Sequence, residues 1–428
     1  MLLLRPAPKE ADKPKSRLSI AHQVIDHHFE DEDVIGSTSF STIDGFGRER
    51  SKFFETDKGF IGLADSDYDA YENIIERIAI RADIKTCLSR EYIGSTLFKW
   101  FEGLYKGTLP QSVGFTQYLI ECSENDVKDI KIAIPISYLD IEESFKVGRV
   151  AFEFYTKEFF DDFEAAVANR NPSFEKDGLR NIRREYQGVV FASLVVCAEK
   201  GRACEIATEE TEKAITLLRF FSPSVFWPEI PSYFGRMGHA NVPVSHSFVF
   251  EDKWPVIHSA VDEKVDHRLP IDKKHLQFLR GSGLDDGSEL ISKPNPTDYE
   301  KLLLNSISLF TKGVVSTDYH DKVVFCLASI ETLLLKNTSE PIQHSIGLRL
   351  AFLSSLRPQQ RKSVIDLVRE AYDIRSSYIH HGKKRQDIDV LRNIQMTIWS
   401  VLRKCIRNHS QFQNQGQLLD FVERLILA

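Results

Sequence analysis

Two charged side chains sit where a helix calls for apolar ones. The residues Val323, Val324, Leu327, Ala328, Ile330, Leu334 and Leu335 fall at helical spacing. Glu331 lies four residues after Leu327 and four before Leu335, on the buried side of that stripe. A second stripe runs Val364, Leu367, Val368, Ala371, Ile374, Tyr378, and Arg375 lies on or beside its seam. A charge facing a core is costly unless it is paired and hydrogen-bonded. The economical arrangement joins Glu331 to Arg375, with the guanidinium fork presented to the carboxylate. His380 and His381 follow in the last turn and Gly382 is a natural helix end, where a protonated imidazole interacts favourably with the helix dipole. Arg375 and His380 are separated by about 140° around an ideal helix, so they do not share a face. Either the helix end frays until they converge, or each lines a groove completed by a second copy of the chain.

The elements that must position these residues are helical. Helices are expected at about 298–311, 318–336, 342–356, 359–380, 386–408 and 415–427, with breaks at Gly313, Asn337–Pro341, Pro358 and Gly382. Short connections between amphipathic helices describe an antiparallel bundle over 298–428. Residues 281–296, from Gly-Ser-Gly through Lys-Pro-Asn-Pro, have linker composition. Upstream, 31–285 reads as α+β, with two subdomains allowed. Ile130, Ile132, Ile134 and Ile136 alternate as a strand does, as do Val150, Phe152 and Phe154; Val189–Cys197 is β-branched, and Ala203–Phe221 is helical. Residues 1–30 read as a flexible arm. The fold class expected is therefore an α+β N-terminal region followed by an all-α antiparallel bundle.

Composition narrows the function. With 42% hydrophobic and 27% charged residues in 428, the chain is globular rather than disordered. Its longest nearly apolar run, Val189–Ala198, is about half of what a spanning helix needs, so no membrane is expected. Six scattered cysteines without CxxC or Cys/His ligand spacing suit reduced thiols in a cytoplasm, with no metal and no cofactor. Residues 357–408 carry twelve basic residues against five acidic ones, a net of +7, which leaves −14 on the rest. A basic island on an acidic chain suits a polyanion site, and equally two helices with basic solvated faces.

Arg-x4-His at the end of a bundle helix, preceded by Tyr372 and followed by Gly382, resembles the Arg-x4–6-His signature of the HEPN superfamily. The surrounding ASIETLLL, LRLAFLSS and VREAYDIRSSYIHHGK are similar to its Apea-like branch, over roughly residues 298–410. Ser376 follows the Arg, where many members carry Asn, His or Asp. The resemblance implies a metal-independent endoribonuclease in antiviral defence, abortive infection or growth arrest. Cleavage by RNA's own 2′-hydroxyl needs a base, an acid and positive charge at the phosphate. Histidine ordinarily titrates near neutrality, which fits His380 as base or acid, with His381 as the alternative register. Arg375 would clamp the non-bridging oxygens and Glu331 would orient it. Lys383, Lys384, Arg385, Tyr378 and Ser376 would contact RNA. The resemblance further implies a homodimer with a composite site, tRNA or other single-stranded loops as targets, a phage-derived trigger or inhibitor, and a sensing or substrate-selecting role for 31–285.

Each feature also has a plainer reading. Glu331–Arg375 serves equally as a pair that fixes helix register, and the histidines as a polar helix end. The competing function is a non-catalytic module for dimerisation or for nucleotide or protein binding. Asp26-His27-His28 spells a phosphoesterase motif without companions and reads as surface. Lys99-Trp100-Phe101 and Phe226-Trp227-Pro228 offer rings for base stacking, though such aromatics more often fill cores. Cys197 and Cys204 flank a turn.

Overall fold

The computed structural model describes residues 41–42, 51–56, 59–170, 176–230, 232–238, 244–251, 254–261, 268–337, 339–355 and 357–428. The arm 1–30, and Asp26-His27-His28 with it, lie outside them. The chain divides into two compact units, 1–132 with 195–207 and 133–194 with 208–428. Architecture is mixed α+β with an all-helical C-terminal region.

In the first unit, strands β1 (Ser41–Thr42), β2 (Ser51–Thr56) and β3 (Gly59–Ala64) form an antiparallel sheet in the order β1-β3-β2. Helices α1 (Asp65–Ala79), α2 (Arg90–Lys106) and α3 (Phe115–Asp126) follow. Leu63, Tyr71, Ile93, Leu97 and Trp100 form their core. Trp100 and Phe101 are therefore core residues, which corrects the base-stacking alternative for that pair. Glu199 is buried and accepts from the backbone N–H groups of Ser89 (3.0 Å), Gly201 (2.6 Å) and Arg202 (2.7 Å).

The expected strands are present. They are β4 (Lys128–Ser137), β7 (Val150–Phe154) and, after helices α4 (Lys157–Arg170) and α5 (Lys176–Tyr186), β8 (Val190–Ala198); two short strands that the sequence pattern does not announce, β5 (Leu139–Ile141) and β6 (Phe145–Val147), lie between β4 and β7. Helix α6 (Lys200–Phe220) comes next. Strand β9 (Gly235–Arg236) completes a sheet in the order β6-β7-β8-β4-β9. Strands β10 (Val244–Glu251) and β11 (Trp254–Val261) form a hairpin, and β12 (Leu269–Ile271) pairs parallel with β5. The apolar run of β8 is explained by its burial: seven of its nine residues are buried.

Residues 281–296 are not an extended linker. Helix α7 (Lys273–Ser282) is followed by α8 (Leu284–Ser292), in which Leu284, Leu290 and Ile291 are buried. Burial of three apolar residues outweighs the turn-forming composition around them.

Six helices follow: α9 (Asp298–Val315), α10 (Tyr319–Leu334), α11 (Ile342–Ser354), α12 (Pro358–His381), α13 (Ile388–Arg407) and α14 (Gln415–Leu427). Their starts are set by local chemistry. Thr297 and Glu300 form a capping box on α9; Asp318, Asp387 and Asn414 cap α10, α13 and α14; Pro358 occupies the first turn of α12. Gly313 does not end α9. A Cβ there would lie 3.2 Å from the Lys322 carbonyl and 3.2 Å from Phe325, so its bare backbone permits α9 to pack closely on α10. Lys322, buried, donates to the carbonyls of Val314 (3.0 Å) and Gly313 (3.4 Å), closing the end of α9.

The other end of α9 is fixed by a buried cluster. Glu300 Oε1 lies 2.6 Å from Lys293 Nζ and 2.8 Å from His409 Nδ1, while Oε2 accepts from the Thr297 N–H at 2.9 Å. Burial alone would push the Glu300 carboxyl up; the hydrogen bonds from Lys293, Thr297 and His409 outweigh it and bring it to about 2. A carboxyl held below its unfolded value contributes stability at pH above about 4.5, and this is lost as pH falls toward 2. Glu300→Gln should therefore cost on the order of 3 kcal/mol at neutral pH. Urea denaturation at several pH values should show the gap between wild type and variant closing between pH 4.5 and 2. A gap that stays constant over that window would contradict the assignment.

Candidate functional site: the α10–α12 contact

The carboxylate and guanidinium expected to meet do meet. Arg375 Nη1 lies 2.5 Å from Glu331 Oε1, with Arg375 28% and Glu331 18% exposed. The same oxygen accepts from the Tyr372 hydroxyl at 2.6 Å, a partner that spacing alone does not reveal. Tyr372 sits three residues before Arg375, on the same side of α12. Its ring centroid is 5.8 Å from the Arg375 guanidinium carbon. Burial, and then donation to the Glu331 carboxylate, push the Tyr372 phenol far above its ordinary value, so it stays a donor. One carboxylate oxygen thus holds two groups of α12, and four of the five guanidinium N–H groups remain for other acceptors.

Helix α12 does not fray. It stays helical through His381 and closes on Gly382, whose φ of 61° is the left-handed conformation that favours glycine. The Gly382 N–H donates to the Tyr378 carbonyl at 3.0 Å and the Lys383 N–H to the Ser377 carbonyl at 3.1 Å. Of the two geometries open to Arg375 and His380, convergence by fraying is thereby removed. Ser376, His380 and His381 are exposed.

The segment after α12 is tied down by residues that the sequence reading left unassigned. The Tyr319 hydroxyl donates to the Asp387 carbonyl (2.7 Å) and accepts from the Asp387 N–H (3.0 Å). His320, buried, places Nε2 3.2 Å from the Arg385 carbonyl, and its ring stacks on Tyr378 with centroids 4.3 Å apart. Tyr378 is therefore half-buried, with one ring face taken by His320. Lys383 and Lys384 are exposed, and Arg385 lies 3.9 Å from Asp387.

The basic island is dispersed in space. Arg369 pairs with Asp366 at 3.1 Å, and Arg392 with Glu229 at 2.5 Å and Asp389 at 2.9 Å. Arg361 lies over the Phe352 ring and Arg403 over Trp399. Lys404 donates to the carbonyls of Leu353 and Ser354, and Arg407 to that of Gly281. Another buried pair went unanticipated: Arg349 meets Glu340 at 2.9 Å and donates to the Leu334 carbonyl at 2.7 Å, capping α10 just beyond Glu331. Among the described residues no group of three or more His, Cys, Asp or Glu side chains is placed to hold a metal, and no helix is long and apolar enough to cross a membrane.

The shared oxygen makes the three side chains energetically dependent. Tyr372→Phe should destabilise by about 1.5–3 kcal/mol, as expected for a hydrogen bond to a charged group. In a Glu331→Gln background the same substitution should cost at least about 0.5 kcal/mol less. Urea unfolding of the two single variants and the double variant measures the difference; strict additivity would mean that the Tyr372–Glu331 contact carries no energy.

Comparison of the chain with protein-family models, with curated proteins and with solved structures gives no match.

Proposed function

We propose that the chain is a metal-independent endoribonuclease of HEPN type, acting in antiviral defence or growth arrest, with Arg375 and His380 as its catalytic residues. The observation that carries this reading is the Glu331–Arg375–Tyr372 constellation, followed within the same helix by an exposed histidine. Glu331 and Tyr372 are positioning residues: one carboxylate oxygen fixes the guanidinium, and its remaining N–H groups are available to phosphate oxygens. Arg375 stabilises the crowded phosphate as charge develops on it. A histidine takes the proton of the 2′-hydroxyl as that oxygen bonds to phosphorus. The bond to the leaving 5′-oxygen breaks, and a second histidine supplies its proton. The products are a 2′,3′-cyclic phosphate and a free 5′-hydroxyl. Lys383, Lys384 and Arg385 extend the positive surface along the RNA backbone, and dependence on the 2′-hydroxyl leaves DNA uncut.

One chain supplies one Arg375/His380 pair on different faces of an unfrayed helix, whereas a turnover uses an acid and a base. The reading therefore includes a two-fold homodimer in which two copies of α12 face one another. What supports this is the poor coverage of α12. Only Val368, Ala371 and Ile374 of its 24 residues are buried, and Ile379 is 52% exposed.

The test is incubation of wild type, Arg375→Ala and His380→Ala with total RNA in EDTA, with analysis of fragment ends. Wild type should give 2′,3′-cyclic phosphate ends, and each variant should cut about 10²–10⁴-fold more slowly. Equal cutting by all three would remove the assignment. Sedimentation of the same samples should show a dimer; cleavage by a strictly monomeric protein would exclude the composite site. A dimer whose RNA binding is insensitive to salt and which leaves RNA intact would favour the non-catalytic alternative.

A further inference from the structure

Helix α4 carries more aromatic rings than it buries. Phe160 is buried, whereas Phe159 and Phe163 are 41% and 36% exposed. Phe159 and Phe163 are four residues apart and so lie one above the other along the helix, and Phe160 is turned about 100° away from Phe159. Phe154, the last residue of β7, adds a further ring that is 38% exposed. Exposed apolar residues scattered singly are ordinary on a protein surface, but a contiguous group of large ones marks a place of interaction.

The exposed rings are ordered by those beneath them. Phe191, buried in β8, lies 4.7 Å from the Tyr155 ring, centroid to centroid. Tyr155 stacks on Phe159 with centroids 4.1 Å apart and planes 16° apart. Phe159 and Phe163 are again nearly parallel, at 13°, with centroids 6.5 Å apart. A ladder of rings therefore runs from the core to solvent, and its inner members fix the orientation of the outer two. Rings already held in one orientation lose little freedom when a partner covers them.

The charges beside the ladder decide what can cover it. Asp162 lies about 60° around the helix from Phe159, on the side away from Phe163, and Glu158 is one turn before Asp162 on the same flank. Both are exposed, and among the described residues neither is in an ion pair. Arg183 of α5 pairs instead with Asp161 (2.8 Å) and Glu164 (3.3 Å). RNA stacked on these rings would bring its phosphates against unpaired carboxylates. A second copy laid face to face would set carboxylates against carboxylates, which is also unfavourable. A basic, apolar protein segment meets neither objection.

We propose that the α4 face formed by Tyr155, Phe159 and Phe163 docks an amphipathic helix of another protein, with aliphatic side chains at i and i+4 and lysine or arginine along one flank. The aliphatic side chains cover Phe159 and Phe163, and the basic flank meets Glu158 and Asp162. This surface stands independently of any ribonuclease activity.

The experiment uses the full chain and two labelled peptides of about 18 residues, long enough to form a helix. One is built of leucine and lysine, the other of leucine and glutamate, each with its leucines at helical spacing along one face. Fluorescence anisotropy should show saturable binding of the Leu/Lys peptide and at least about tenfold weaker binding of the Leu/Glu peptide. The double variant Phe159→Ser, Phe163→Ser should weaken the Leu/Lys peptide by about tenfold or more while the far-ultraviolet circular dichroism stays that of wild type. The double variant Glu158→Lys, Asp162→Lys should reverse the preference between the two peptides. Absence of saturable Leu/Lys binding would overturn the proposal. So would equal Leu/Lys binding by wild type and both variants, since the net charge of −7 on the chain would then account for it. Saturable binding of oligouridine that the two serines abolish would make the face an RNA platform instead. A dimer that the two serines dissociate in sedimentation would assign the face to a second copy.

Discussion

One carboxylate oxygen sets the relation between α10 and α12. Glu331 lies in an otherwise apolar stripe, where an unpaired charge would cost several kcal/mol. It is tolerated because Arg375 neutralises it and Tyr372 donates to the same atom. Both donors come from α12, three residues apart, so satisfying the carboxylate fixes the rotation and the axial position of α12 together. Whatever lies one turn further along the helix is placed by the same contact, including the exposed His380. The end of α10 is secured separately. Arg349 takes the Leu334 carbonyl, and the Gln415 amide donates to the carbonyls of Thr332, Leu333 and Leu335. These contacts keep the last turn of α10 formed, and with it the backbone from which Glu331 projects.

The charge pattern acquires a different meaning in three dimensions. Along the chain, residues 357–408 form a single basic block. In space, most of its cations serve as structural ties to carboxylates, carbonyls and rings. Arg392 joins α13 to Glu229, and Lys404 closes the end of α11. Ion pairs of this exposed kind add at most about 1 kcal/mol each, so their role is to orient rather than to hold the fold together. The positive surface still open to solvent beside the end of α12 is Lys383–Arg385, carried on a segment anchored through Tyr319 and His320. A short, fixed cationic edge is suited to contacting a few phosphates, not to wrapping a long polyanion.

The helices of the C-terminal region were legible because apolar residues recur along them at helical spacing and because Pro358 and Gly382 mark helix ends by their own chemistry; the caps at Thr297 with Glu300 and at Asp318 are equally local. The Glu331–Arg375 contact was legible for a related reason, since a charge in an apolar stripe has few acceptable environments. Other features depend on residues far apart in the chain. Gly313 suggests a break but serves as a contact with α10, and the composition of 281–296 suggests a linker but yields α8 once Leu284, Leu290 and Ile291 find a core. The ring of Tyr378 is partly occupied by His320, 58 positions earlier, and no local pattern announces that stacking. The division into compact units, with 195–207 returning to the first, is likewise set by non-local packing.

The cap on α12 bears most directly on the proposed chemistry. If the last turn unwound, His380 could swing toward Arg375 and a single chain could assemble both groups. The left-handed Gly382 and the two backbone bonds to Ser377 and Tyr378 oppose this, and the stacking of Tyr378 on His320 adds a tertiary tie to the same turn. Unwinding would break these contacts together, so the cost rises cooperatively. A helix held closed to its last residue keeps Arg375 and His380 on separate faces, about 7.5 Å apart along the axis. In the proposed homodimer, a groove between two such helices related by a two-fold axis would present the Arg of one opposite the His of the other without deforming either. The rigidity that prevents a site within one chain is what would make a shared site reproducible.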